Sequence, residues 1–199
     1  MATETTCSSS CASGYSDSHM KALPTTLPGV LLLEPQVFRD ERGFFLESYN
    51  RRTFLGLGIP EEFVQDNHSF SIRNTVRGIH YQVRQPQGKL IRAVVGRIMD
   101  VAVDLRRHSA TFGQCASFVL SDEDRRMAWI PAGFGHAFRV LSETAHVTYK
   151  TTSFYSGIDE RTILWDDPDL KIDWDLNTAP ILSAKDKLGR RFRDAEVFE

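Results

Sequence analysis

The 199 residues contain no apolar run near the ~20 consecutive side chains that a bilayer-spanning helix needs. No basic segment leads into an apolar core at the start, so a secretory signal is not expected. No block of Lys and Arg stands out either. The 24 basic and 26 acidic residues are interspersed, the net charge is −2 and the pI is near 6.3. That balance gives no electrostatic footprint for nucleic acid, and an anionic ligand would need a local cluster of Arg and Lys. Cysteine is scarce and odd in number. Three cysteines argue against a disulfide framework, and Cys7 and Cys11 have no second pair with which to hold zinc. We read these two as free thiols of a reducing cytosol and expect a cytoplasmic protein.

Helical periodicity is the next thing in short supply. Residues 1–20, rich in Ser, Thr and Cys, are expected to be a disordered tail. Residues 21–199 are expected to form one domain, since no linker or repeat divides them. From Val30 onward, short apolar runs alternate with turn signals. Strands are expected at 29–34, 43–49, 63–72, 75–82, 90–95, 98–104, 114–120, 127–130, 137–141 and 146–152. Asn50 is placed to cap a short helix carrying Phe54, Leu55 and Leu57. Arg73-Asn74 is a hairpin candidate. In the run to Asp104, Met99, Val101 and Val103 alternate with Asp100, Ala102 and Asp104, which predicts one face in and one face out. About ten strands with little helix is the pattern of an all-β sandwich or barrel.

Metal-holding β-barrels commonly bring two ligands from one strand as His-x-His. Here that segment reads His80-Tyr81-Gln82, and the remaining histidines are scattered. No bound metal and no cofactor are expected. What the segment does offer is His80 on an extended run, followed nine residues later by Lys89. A histidine accepts a proton near neutral pH. A lysine ammonium can hold the oxyanion that forms when a proton leaves carbon beside a carbonyl. Taken alone, the pair is most simply a satisfied polar residue and a solvated charge.

Further motifs change that reading. The stretch Arg77 to Arg92 (RGIHYQVRQPQGKLIR) resembles the active-site segment of the dTDP-4-dehydrorhamnose 3,5-epimerase family, which are metal-free cupins. So do Asp40 to Asn50, Val64 to Ser69, Asp100 to Arg106, Trp129 to His136, Tyr149-Lys150, Ile163 to Trp165 and Leu182 to Asp186. The likeness runs in register over almost everything from Met20 to Asp186. It implies a cupin, or jelly-roll β-barrel, with short peripheral helices.

The resemblance also implies roles. His80 would be the base that takes protons from C3 and then C5 of a 4-keto sugar. Asp186 would pair with His80, fix its tautomer and favour its protonated form. On its own, Ser183-x-x-Asp186 reads instead as the start of a capped helix. Lys89 would hold the C4 oxygen. Tyr149 would return a proton from the opposite face, as a phenol stays loaded at neutral pH. Arg42 and Arg77 would meet the pyrophosphate. Gln65, Asn67 and Glu47 would hydrogen-bond the nucleotide, Phe45 would pack on its base, and Tyr155 and Lys185 would line the pocket. His136 matches a polar pocket position of open role. In the family the Arg42 to Glu47 strand reaches the neighbouring subunit, so a homodimer with strand exchange near the active site is implied.

The expected reaction is conversion of dTDP-4-dehydro-6-deoxy-D-glucose to dTDP-4-dehydro-L-rhamnose, feeding dTDP-L-rhamnose synthesis. A single-centre epimerase or a 3,4-ketoisomerase on the same nucleotide sugar is the nearest rival. A sugar-binding cupin without catalysis would not need Lys89, Tyr149 and Asp186 together. A metal-dependent oxygenase lacks its ligands.

Overall fold

The chain's apolar–polar alternation builds two antiparallel sheets laid face to face. The computed structural model describes residues 19–199, so Cys7, Cys11 and residues 1–18 of the expected tail lie outside the described residues. His19 and Met20 are inside it, and Met20 is a buried residue of the first strand. The strands of the first half are β1 (Met20–Pro24), β2 (Leu31–Pro35), β3 (Val37–Asp40), β4 (Gly43–Leu46), β5 (Gln65–Ile72), β6 (Val76–Gln82) and β7 (Lys89–Val95). Those of the second half are β8 (Arg97–Asp104), β9 (Cys115–Ser121), β10 (Met127–Ile130), β11 (Phe134–Val140), β12 (Thr144–Thr151) and β13 (Glu160–Thr162). One sheet has the order β1-β2-β10-β7-β12-β5, the other β13-β6-β11-β8-β9, and β3 with β4 forms a separate two-stranded ribbon. Helix α1 (Arg51–Gly56) and helix α2 (Ala184–Lys187) are short and peripheral. The architecture is an all-β jelly roll of the cupin type.

Inward-facing rows of side chains place the site. Ile91 and Ala93 on β7, Ala145 and Val147 on β12, Ile98 and Ala102 on β8, and Phe134 and Phe138 on β11 belong to the core between the sheets. Strand periodicity of two puts Lys89, Tyr149, Asp100 and His136 on those same rows. The apolar members fill one part of the barrel, and the polar members gather in the rest.

The outer faces are covered as well. Ile79, Tyr81, Met99, Val101 and Val103 pack under a C-terminal segment carrying Leu170 and Trp174. Phe54 of α1 and Ile59 cover Met20, Leu33, Leu90, Met127 and Trp129 on the other side. Asn50 caps α1, its side chain accepting from the Arg52 N–H at 3.0 Å.

Three expectations need correction. The structure has thirteen strands among the described residues, not ten, because short edge strands such as β1 and β13 carry little hydrophobic signal. Arg73-Asn74 does not close a hairpin: β5 and β6 lie in different sheets, so the turn carries the chain across the barrel. And β8 is not half exposed. From Ile98 to Asp104 every residue is buried: the C-terminal segment covers Met99, Val101 and Val103, while the row of Asp100 and Ala102, which alternation assigned to solvent, faces the core between the sheets.

Candidate active site

A cavity of about 240 Å³ opens between the two sheets. It brings together His80, Lys89, Tyr149, Gln65, Asn67, Arg77, His136, Tyr155 and Lys185, nine of the residues singled out in the sequence.

His80 sits on β6 two residues after Gly78. That glycine has φ of +121°, and a Cβ there would stand 2.4 Å from the Ala137 Cβ, so only glycine lets β6 lie this close to β11. The close approach sets His80 opposite His136 in the strand register. The His80 Nε2 meets Asp186 Oδ1 at 2.5 Å, which leaves Nδ1 as the ring nitrogen not engaged by Asp186. Asp186 is almost wholly buried on α2, at 2% exposure. The Ser183 hydroxyl donates to its Oδ2 at 2.7 Å, and the Asp186 N–H donates back to the same oxygen of Ser183 at 3.1 Å. The capped-helix reading and the His–Asp pair therefore hold together: the cap is what aims the carboxylate.

Burial pulls the His80 imidazole below its ordinary value of 6.5, and this outweighs the opposing pull of Asp186. Asp186 thus favours the protonated form, in the expected direction, without prevailing over burial. The resting ring is neutral at pH 7, the form a base requires. Burial raises the Asp186 carboxyl, but hydrogen bonds from His80 and Ser183 hold it below the usual carboxylate range.

Lys89, at the start of β7, is buried, and its Nζ donates to the His80 carbonyl at 3.4 Å. Burial pushes its ammonium down to about 8, with Asp100 and Glu160 resisting. Tyr149 pairs with Asn67 and Ile91 on the neighbouring strands. Burial raises its phenol above the ordinary value, so it keeps its proton at neutral pH. His80 and Tyr149 thus come from different sheets.

At the mouth, the Gln65 amide donates to Asn67 Oδ1 at 2.8 Å, and the Tyr155 N–H donates to Gln65 Oε1 at 3.0 Å. The Arg77 Nε donates to Ser71 at 3.0 Å. Lys185 contacts Glu160 Oε1 at 2.6 Å, and the Tyr155 hydroxyl donates to Glu160 Oε2 at 3.0 Å. Sequence reading missed Glu160, which neither a motif nor a periodicity marks. It also missed Asp100 as a partner of His136, whose Nε2 lies 2.7 Å from Asp100 Oδ1. The alternation along β8 carried that signal, since Asp100 shares a row with Ile98 and Ala102.

Of the four other singled-out residues, Asp186 lies behind His80, and three stand apart from this cavity. Arg42 and Phe45 lie on the β3–β4 ribbon against Phe38, Arg39 and Phe44. The Arg42 side chain is 83% exposed and bonded to Asp40, and Phe45 is 70% exposed. Glu47 accepts from Asn50 Nδ2 at 2.9 Å and from the Thr53 hydroxyl at 3.2 Å, bracing α1. Among the described residues no three His, Cys, Asp or Glu side chains converge as metal ligands, and no helix is long and apolar enough to cross a membrane.

A half-buried imidazole with its carboxylate, a phenol on the opposite wall and a lysine beside them is a set suited to moving protons on either side of a ketone. The model of the dTDP-4-dehydrorhamnose 3,5-epimerase family matches residues 24–194. The chain is 58% identical over 180 residues to the dTDP-4-dehydrorhamnose 3,5-epimerase of Pseudomonas aeruginosa, covering 90% of this chain and 99% of that one. It is 50% identical to the Shigella flexneri enzyme of the same description, over 90% and 99% of the two chains. The crystal structure of a dTDP-6-deoxy-D-glucose-3,5-epimerase from Legionella pneumophila in complex with dTDP-4-keto-L-rhamnose superposes with a TM-score of 0.87. It is 43% identical and covers 89% of this chain and 95% of its own. By its motifs, its cavity and these likenesses, the chain belongs to the dTDP-4-dehydrorhamnose 3,5-epimerase family.

Proposed function

We propose that this chain inverts C3 and C5 of dTDP-4-dehydro-6-deoxy-D-glucose, forming dTDP-4-dehydro-L-rhamnose in the dTDP-L-rhamnose route, and that His80, Asp186, Lys89 and Tyr149 carry the chemistry. The observation that supports it most is the placement of His80 and Tyr149 on opposite walls of one cavity, with Lys89 lining the same space.

His80 Nδ1 takes the proton from C3. The electron pair left behind moves to the C4 oxygen, where the Lys89 ammonium balances the enolate charge. The Tyr149 hydroxyl then gives its proton to C3 from the other face, and the centre is inverted. Solvent removes the proton from His80 and restores that of Tyr149. The same pair serves C5, because both carbons flank one ketone and share one enolate oxygen. Asp186 holds the imidazole tautomer that leaves Nδ1 able to accept.

A cavity of about 240 Å³ holds the sugar but is small beside the ~300–1,000 Å³ of most ligand sites, so the nucleotide lies along the mouth. Arg77, Gln65, Asn67, Tyr155 and Lys185 supply that end from the chain itself. Arg42, Phe45 and Glu47 would come from a second copy, whose ribbon would exchange into this mouth. The exposed Phe45 and the separation of the ribbon from both sheets support a homodimer of that kind. A nucleotide-sugar substrate and the free thiol of Cys115 support a cytoplasmic location.

The test is NMR of the 4-keto sugar nucleotide with the enzyme in heavy water. Deuterium at both C3 and C5 with L-configured product is the expected result. Label at C3 alone makes it a single-centre epimerase, and no label removes the reading.

A further inference from the structure

Asp100 has no place in that mechanism, yet it is the least accessible charged group beside it. It is completely buried on β8, between Ile98 and Ala102 of the inter-sheet core. Its Oδ1 accepts from His136 at 2.7 Å, while its Oδ2 is buried with no protein hydrogen-bond donor. A carboxylate with one free oxygen in an apolar core is unfavourable unless positive charge stands close to it. The cavity supplies that charge from the facing sheet, since Lys89 is itself buried.

We propose that Asp100 is a positioning residue for the oxyanion end of the site. It fixes the His136 ring at the cavity wall and supplies the negative charge that keeps the Lys89 ammonium protonated where the C4 enolate forms. The inference rests on the reading of Lys89 as the oxyanion donor. It gives the barrel two His–carboxylate pairs of different duty. His80 with Asp186 handles protons, and His136 with Asp100 maintains the field into which negative charge develops.

Charge balance around Lys89 supports this. The titratable groups that line the cavity with it are His80, Arg77 and Tyr81 on β6, His136 on β11, Tyr149 on β12, Tyr155, Glu160 on β13 and Lys185 on α2, with Asp100 on β8 buried behind His136. Burial lowers the Lys89 ammonium, and Asp100 is the leading influence that resists. Glu160, the other carboxylate, is already bonded to Lys185 and Tyr155. Asp100 makes no ion pair with a lysine or arginine among the described residues. Its free oxygen and the Lys89 ammonium, which is bonded to a carbonyl and to no carboxylate, are therefore left to balance each other's charge.

Asp100→Asn keeps shape and hydrogen-bonding capacity to His136 but removes the charge. The expected result is unchanged affinity for dTDP, solvent-deuterium exchange slower by about 10-fold or more, and an alkaline limb of the pH–rate profile displaced by about one unit toward acid. A merely structural Asp100 would not move that limb. Lys89→Ala, run in parallel, separates the two claims. If Lys89→Ala exchanges normally, the oxyanion reading fails. If Lys89→Ala is impaired while Asp100→Asn matches the parent in rate and profile, only this inference is overturned. Asp100→Ser is a second uncharged variant with the same expected displacement. Loss of the fold in both variants, seen by near-ultraviolet circular dichroism, would make Asp100 structural and also overturn it.

Discussion

His80 and His136 stand opposite each other on neighbouring strands, and each is bonded to a buried aspartate, at 2.5 Å and 2.7 Å respectively. Both imidazoles line one cavity, with the aspartates behind them, yet only His80 lies beside the capped helix that delivers Asp186. Local chain geometry therefore distinguishes two chemically similar pairs.

Loss of the base should be severe. His80→Ala is expected to lower deuterium exchange into the 4-keto sugar by about 10²–10⁴-fold with the fold retained. Asp186→Asn should slow exchange as well, since the carboxylate sets the ring tautomer. Exchange at the parental rate in a folded His80→Ala protein would refute the assignment.

Tyr149→Phe removes only the phenol oxygen. Abstraction by His80 can continue, but delivery from the far wall cannot. Exchange into unepimerised substrate should then outrun formation of L-configured product, as followed by NMR. A parallel fall of both rates would assign the acid elsewhere.

The pH profile of kcat/KM should be bell-shaped, with limbs that report the free enzyme. His80 must be neutral to accept a proton, and burial has lowered it. Activity should therefore persist as pH falls through 6.5 and be lost only below that. Lys89 must be charged, and it titrates at about 8, so activity should fall as pH rises through that value. An acid limb above 6.5 would show that the free base is not the shielded His80.

Strand exchange predicts complementation. Arg42→Ala and His80→Ala chains, each impaired alone, should regain about a quarter of parental activity when mixed at random. Half of the dimers are then mixed, and each of these has one intact site of two. No recovery in verified mixed dimers would place Arg42 in its own chain's site or outside the site altogether.

Much of this was legible before any coordinates. Period-two alternation located the strands that matter, and Asn50 announced α1 correctly. The cavity residues His80, Lys89 and Tyr149, and Asp186 behind His80, were readable because they fall in motifs of fixed register. Which sheet a strand joins was not readable, as the Arg73-Asn74 turn shows, because a tight turn looks the same whether it closes a hairpin or crosses a barrel. The burial of β8 was hidden for a related reason. Its cover comes from Leu170 and Trp174, some seventy residues later, in a segment without regular periodicity. Glu160 was invisible because its partners, Tyr155 and Lys185, are brought together only by tertiary structure.

His80, the proposed base, hangs from the five-stranded sheet and Tyr149, the proposed acid, from the six-stranded one. Their separation is therefore kept by Ile91, Ile98, Leu120, Phe134 and Phe138, packed between the sheets. Shaving one of these, as in Phe138→Leu, leaves both proton carriers chemically intact but lets the walls shift by fractions of an ångström. The enzyme would then still enolise its substrate while returning protons with less facial discrimination. With His80 and Tyr149 in their proposed roles, stereochemical fidelity would be a property of hydrophobic packing.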